Sequence, residues 1–420
     1  MPTVTSKQVI VVGAGMAGLS TAWFLQRAGA EVTVLDRRDV AAGSSWGNAG
    51  WLSPALTLPL PEPAILAPGL RALLSAGSPV YIPPTLDPRL LRFLAGFVRH
   101  CTPRQWNRAM AVFAQANKLA LDAYDRMGGA TGRVEAEVRP ADPLLAVFRS
   151  ATDRAALVEE FDRVGRVTEP PEYRLVDRDE IQELEPILSS SARFGVRLSG
   201  QRFLNPGEFV HALADSVKNG GGQILTGLDV RGVTGGRRAG VRLADGSSLA
   251  ADAVVVAAGG WLSRLVRPHG VRTPVQAGRG YSFTVRPGVA VRNPIYLPAQ
   301  RVACTPLGGP AEGVRVAGMM EFRRPDAALD PRRVRAIVTA ATPLVDGVDW
   351  EARTDEWVGS RPCTPDGLPL VGRTSSSRVF VAGGHGMWGM ALGPLTGRLL
   401  ADQIMGERVH PLMDAFDPLR

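Results

Sequence analysis

The chain has 420 residues, 45% of them hydrophobic, and a formal net charge of +8 that is carried almost entirely by arginine. That length and apolar content allow two or three domains with a sizeable core, and no window reaches the roughly 18 unbroken apolar residues of a membrane span. Three scattered cysteines, Cys101, Cys304 and Cys363, exclude a disulfide framework or metal set, and the even spread of arginines argues against nucleic acid while leaving an anionic membrane surface open.

The N-terminus runs directly into a strand-like segment without a signal-peptide pattern, so a cytoplasmic protein is expected, with peripheral contact to the inner face of a membrane as an option. Residues 8–36 read as a strand–helix–strand unit: "QVIVVG", then "MAGLSTAWFLQRAG" ending at Gly29, then "AEVTVLD". A loop rich in small residues follows, and residues 54–85 hold too much proline for regular helix or a central strand. That stretch is expected to pack on the fold, to cover the site entrance or to dock on a membrane. Helices are predicted over Arg89–His100 and about Pro103–Met127, a short capped one in "RDEIQELEPIL", and one in "NPGEFVHALADSVKNGGG". A hairpin turning at Asp245-Gly246 leads into the buried strand "ADAVVVAAGG". Residues 272–355 alternate like antiparallel strands with one helix near 329–344. The chain closes with a strand, "RVFVAGG", and a helix, "LGPLTGRLLADQIMG". The expected fold is α/β: a discontinuous Rossmann-like domain (1–54, 200–272, 357–420) and an inserted α+β substrate domain on a mixed, largely antiparallel sheet (55–199, 273–356).

Gly13, Gly15 and Gly18 have G-x-G-x-x-G spacing between a strand and a helix, and the second strand ends in Asp36, 23 residues after Gly13. Gly13 permits the tight turn, Gly15 the approach of a pyrophosphate, and Gly18 close helix–strand packing. The helix N-terminus then faces phosphate, and Asp36 can accept from ribose hydroxyls. The loop "GSSWGNAG" and the glycines Gly259-Gly260 suit an extended cofactor such as FAD better than further β–α repeats for NAD. A second match, Gly384–Gly389, lacks a following strand ending in an acid. It reads as a helix N-terminus aimed at an electron-rich group such as the edge of a reduced flavin. Without a further nucleotide fold, electrons are expected to come from an organic substrate and leave to oxygen, a quinone or another carrier.

Five segments in order, "VIVVGAGMAGLSTAWFLQRAGAEVTVLDRR", "NAGWLSP", "AGRGYSFTV", "SRPCTPDGLPLVG" and "VFVAGGHGMWGMALGPLTGRLLADQI", make the sequence resemble the D-amino-acid oxidase-like FAD superfamily, nearest its bacterial D-amino-acid dehydrogenases. The resemblance implies one non-covalent FAD. Its contacts carry over to Gly13, Gly15, Met16, Ala17, Gly18, Asp36 and Arg37. They continue through Ser45, Ala49, Gly50 and Leu52, then Val230, Gly259 and the turn holding Gly384, Gly386 and Met387. Sarcosine oxidases tether flavin through a cysteine at the position of Gly359, so that tether is unavailable here. The implied reaction is oxidation of a D-amino acid's C–N bond by hydride transfer. The alternatives are a secondary or cyclic amino acid, such as D-hydroxyproline or a sarcosine-like compound, and a non-catalytic flavin-binding subunit.

Such a site needs a cation for the substrate carboxylate, and a guanidinium fits one in bidentate fashion. Arg361 is the first candidate, from its place in the "RP…DG.P" segment that in similar glycine oxidases holds the carboxylate. A second arginine that those enzymes carry after the last glycine turn is Met387 here. Arg279 and Tyr281 share one face of a predicted strand, either towards ligand or as core and ion pair, and Glu321 either supports the site or pairs with an arginine. His385 is a candidate for a hydrogen bond to flavin or substrate. Cys363 has no partner pattern for catalysis, and the remaining histidines show no metal-ligand spacing, so no metal is expected.

Overall fold

Residues 6–63, 78, 80–129, 133–308 and 312–420 are described by a computed structural model of the chain. Among them, the apolar runs Gln8–Val12, Glu31–Leu35, Ala253–Val256 and Val379–Gly383 form the parallel middle of a six-stranded sheet. Gln223–Leu225 extends it in parallel at one edge, and Leu370–Arg373 pairs antiparallel at the other. A strand buried on both faces shows no polar alternation, which is why these runs are apolar apart from the exposed Gln8 and Glu31 at their starts and Thr33. Val9 and Val11 enter one core, beneath the helices Met16–Arg27, Pro103–Met127, Pro206–Asn219 and Gly389–Met405. Ile10 and Val12 enter another, capped by the small antiparallel sheet Val230–Thr234, Ala239–Leu243 and Ser248–Ala251. The Asp245-Gly246 turn closes that hairpin, with Gly246 at φ +90° and the Asp245 carboxylate accepting from the Ser247 amide at 2.9 Å.

The second layer is a nine-stranded mixed sheet. Its functional end consists of Thr354–Cys363 at the edge, then Gln276–Val285, then Val314–Phe322, all antiparallel neighbours. Helix Pro331–Ala341 covers its outer face, burying Tyr281, Phe283, Val316 and Ile337 in a common core. The expected boundary at 357 falls inside the edge strand Thr354–Cys363, so the second sheet runs on to Cys363 before the chain returns to the first. Helix Pro103–Met127, assigned by position to the substrate part, shares its core with the first sheet, because Trp106, Met110, Phe113 and Tyr124 line its buried face.

The predicted helices are present, with small changes at their ends. Proline at the first turn and Asp, Thr or Asn caps start those at Pro88–His100, Pro103–Met127 and Pro206–Asn219. The last long helix begins at Gly389, ahead of the predicted start, and contains Pro394. Proline has no N–H for the carbonyl four residues earlier. The buried Tyr124 hydroxyl donates to that carbonyl, Met390 O, at 2.6 Å. Of the proline-rich segment, Ala55, Leu56 and Leu58 are buried, Leu58 O accepts from Trp388 Nε1 at 2.7 Å, and Val80–Tyr81 adds a strand to the nine-stranded sheet. Residues 64–77 and 79 lie outside the described residues. Among the described residues no helix is long and apolar enough to cross a membrane.

Candidate active site

The carboxyl ends of the parallel strands, at Val12, Leu35, Val256 and Gly383, open on one cavity of about 350 Å³. A crevice at that end of an open α/β sheet is where this architecture binds ligands. The Gly-rich turn forms one side. Gly13 has φ +118° and its amide donates to Leu35 O at 2.7 Å, which closes the turn between the two strands. Gly18 does not line the cavity; a Cβ there would run into Gly13 O, so it provides the expected helix–strand approach. Asp36 lines the cavity and accepts from the amides of Ala14 and Arg38, each at 2.9 Å, which fixes its carboxylate beside the turn. Gly15, Met16, Ala17, Arg37, Ser45, Val230, Gly259 and Gly386 line it too. Ser45 Oγ accepts from the Met16 amide at 3.1 Å and so ties the small-residue loop to the helix start.

The cavity suits an extended, polyanionic dinucleotide. At Gly43, Gly259 and Gly386 a Cβ would point into open space, so their backbones stand bare towards the cavity. The helices starting at Met16 and Gly389 have neither a side-chain bond from their N-cap residue nor an acid in the first turn. Among the described residues only the Met16 amide is taken by a side chain, through Ser45 Oγ, so both starts keep a positive end for an anion. Arg37, together with Arg38, Arg231 and Arg264, which no local pattern singles out, adds positive charge along the wall. Arg37 stacks at 3.8 Å on Trp261 and pairs at 3.0 Å with Asp326, closing one flank.

Five expected cofactor contacts sit elsewhere or behind the wall. Gly50, at φ +76°, and Leu52 belong to the backbone path that pairs with the Gln201–Phe203 strand, and Ala49 O accepts from Thr305 Oγ1 at 2.7 Å. Gly384, at φ +74°, packs against Thr364 and Leu370, and Met387 joins an apolar cluster with Phe93, Phe97, Met320 and Phe322. His385 lines the cavity, but its Nε2 lies 2.7 Å from Thr396 Oγ1 on the last long helix, and burial lowers its pKa from 6.5 to about 4. It is therefore neutral near pH 7 and fastens the turn. Cys363 is buried with its thiol pushed up to about 12, which makes it a poor nucleophile.

Arg279 and Tyr281 share one face, as predicted, and it is the face turned away from the cavity. The Arg279 guanidinium is fully buried. It donates to Glu321 at 2.9 Å and to the carbonyls of Ala327 and Ala328 at 2.6 and 3.0 Å. The Tyr281 hydroxyl donates to Glu321 at 2.6 Å, and burial with that carboxylate holds the phenol protonated. The opposite face of the same strand carries Gly278, Gly280 and Ser282. Arg361, from the neighbouring strand, lies over Gly280, where any Cβ would strike its guanidinium. Its Nη1 donates to Met319 O at 3.1 Å, a carbonyl turned there by a bulge in which Met319 adopts φ +60°. Arg361 lines the cavity, is half-buried, and among the described residues has no carboxylate within 4.0 Å. Burial lowers its pKa, yet a guanidinium keeps its charge. A charge in that position calls for an anionic partner.

The family described as "DAO: FAD dependent oxidoreductase" matches residues 8–403. A D-amino acid dehydrogenase of Cereibacter sphaeroides is 35% identical over 410 residues, 95% of this chain and 92% of that protein. One from Xanthobacter autotrophicus is 33% identical over 425 residues, 98% and 97% of the two. Glycine oxidase from Geobacillus kaustophilus has the same fold, with a TM-score of 0.73 at 21% identity over 99% of both chains.

Two expectations follow from the buried groups. Glu321→Ala strands the Arg279 cation and should cost about 3–5 kcal/mol of unfolding free energy in urea titrations. The unfolded chain protonates His385 at its ordinary 6.5 and the folded one only near 4, so stability is full above 6.5 and lost as pH falls towards 4. His385→Asn should flatten the stability–pH slope in that window by up to about 1.4 kcal/mol per pH unit.

Proposed function

The chain belongs to the DAO family of FAD-dependent oxidoreductases, and from that premise we propose that it oxidises D-amino acids at the α-carbon–nitrogen bond, giving an imino acid that water hydrolyses to a 2-oxo acid. Bound FAD supplies the two-electron acceptor for the α-hydrogen leaving as hydride. The Gly-rich turn, Asp36, Ser45 and the start of the first helix would hold its adenosine and pyrophosphate parts. The Gly383–Met390 turn would stand at the other end, beside Arg361. The names of the relatives support the substrate class.

One observation carries the reading: a half-buried guanidinium on the cavity wall with no carboxylate partner within 4.0 Å among the described residues. An amino-acid carboxylate supplies the missing charge, and a planar fork orients it in two parallel hydrogen bonds. Anchoring the carboxylate restricts how the α-carbon is presented, which is the positioning that hydride transfer requires. Cys363 and His385 contribute no proton transfer near neutral pH, one held as a thiol and the other as a neutral ring bound to Thr396. Behind the wall, Met387 packs with Phe93, Phe97 and Phe322 at the position where similar glycine oxidases carry a second arginine, which favours an apolar substituent on the α-carbon.

Anaerobic mixing of the holoenzyme with a panel of D-amino acids should bleach the flavin band, and most readily with apolar side chains; a panel with no bleaching contradicts the reading. A parallel run with oxygen or an artificial quinone as acceptor identifies the second half-reaction. Arg361→Ala should raise KM about 100-fold, the equivalent of about 3 kcal/mol for a charge-assisted bidentate pair. An unchanged KM rules out the carboxylate assignment.

A further inference from the structure

A carboxylate site needs a wall as well as a charge. Gly280 and Gly359 stand directly opposite each other across the two edge strands of the nine-stranded sheet. Side-chain positions of such a pair lie on one face about 5 Å apart. Neither position is vacant. A Cβ on Gly280 would collide with the guanidinium of Arg361, and a Cβ on Gly359 would collide with the six-membered ring of Trp357. Guanidinium and indole therefore lie side by side on one face of the edge strand, and of the two it is Arg361 that lines the cavity.

The indole is held from the opposite side as well. A Cβ on Gly47 would also collide with the Trp357 ring, and Gly47 sits in the loop whose residues Ser45 and Asn48 line the cavity. That loop is pinned: Gly47 O accepts from Ser282 Oγ at 2.8 Å, and Trp46 stacks on the buried Arg315 at 4.5 Å. Glycine inside a strand weakens it and marks a close approach. Here glycines at 280 and 359, with Gly47 opposite, leave room for one cation and one large ring.

We infer that Trp357 is a specificity-determining residue: its indole forms the fixed wall beside Arg361 and sets how large a group attached to a carboxylate can sit there. The inference rests on the reading of Arg361 as the carboxylate site. It makes glycine at 359 a requirement of the indole, since a side chain at 359 and the ring compete for the same volume.

The test uses the holoenzyme, with acetate and benzoate as probes and the flavin absorption as the binding signal. Trp357→Ala should raise the affinity for benzoate relative to acetate at least tenfold, and Trp357→Phe should give a smaller shift in the same direction. Gly359→Ala should weaken both probes at least tenfold in the parent protein. In the Trp357→Ala background it should change acetate binding by less than twofold. An unchanged benzoate-to-acetate ratio in FAD-loaded Trp357→Ala and Trp357→Phe overturns the inference, as does an equal effect of Gly359→Ala in both backgrounds. Arg361→Ala separates the two levels. If it leaves acetate binding intact, the carboxylate reading itself fails. If it abolishes acetate binding while the Trp357 variants leave the ratio unchanged, only the role of Trp357 fails.

Discussion

A guanidinium withdrawn from water without a carboxylate beside it is an unfavourable arrangement unless something else supplies the charge. Arg361 is such a group: half-buried, bonded to the single carbonyl of Met319, and laid across Gly280 on the cavity wall. Much of the second sheet is arranged to hold it there. The bulge at Met319 turns a carbonyl towards it at the cost of a left-handed backbone, about 1–2 kcal/mol for a residue with a Cβ. The glycines opposite and beside it surrender side chains of their own. Such expense at one position is what a ligand-binding cation requires and a surface arginine does not.

The two sheets divide the work. The parallel sheet ends in bare glycine turns and two helix starts without an acid in the first turn, a surface of backbone amides suited to phosphate and an electron-rich ring. The mixed sheet, antiparallel at this end, presents its own alternating faces. One holds the Arg279–Glu321–Tyr281 network under helix Pro331–Ala341, fully out of water. The other holds Arg361, Trp357 and the glycines. The buried network sits one residue out of phase with the functional face, so it fixes the strand without facing the cavity. Similarity to glycine oxidase extends to the overall fold.

The parallel unit was readable from the sequence because each of its signals is local: a buried strand, three glycines, a helix and an acid at fixed spacing. The helices were readable from their caps and periodicity. The face of the strand Gln276–Val285 was not, since alternation identifies two faces without saying which is covered by a helix. Arg279 and Tyr281 carry the chemistry on that strand, whereas the alternating Gly278 and Gly280 mark where a neighbour must come close. Gly359 is legible in the sequence only as the site of an absent tether; its pairing with Gly280 and the Trp357 ring it makes room for arise only in the folded sheet. The arginines at 38, 231 and 264 converge on the cavity only through tertiary folding, and in a chain so rich in arginine nothing local distinguishes them.

The central claim is that a substrate carboxylate supplies the charge that Arg361 lacks. The most direct measurement is the anaerobic reduction of the holoenzyme's flavin by D-alanine and by D-alaninamide, which differ only in that group. The account predicts half-reduction by D-alanine at a concentration at least about 100-fold lower than by the amide, as expected for one charge-assisted bidentate pair. Equal concentrations for the two compounds would contradict it.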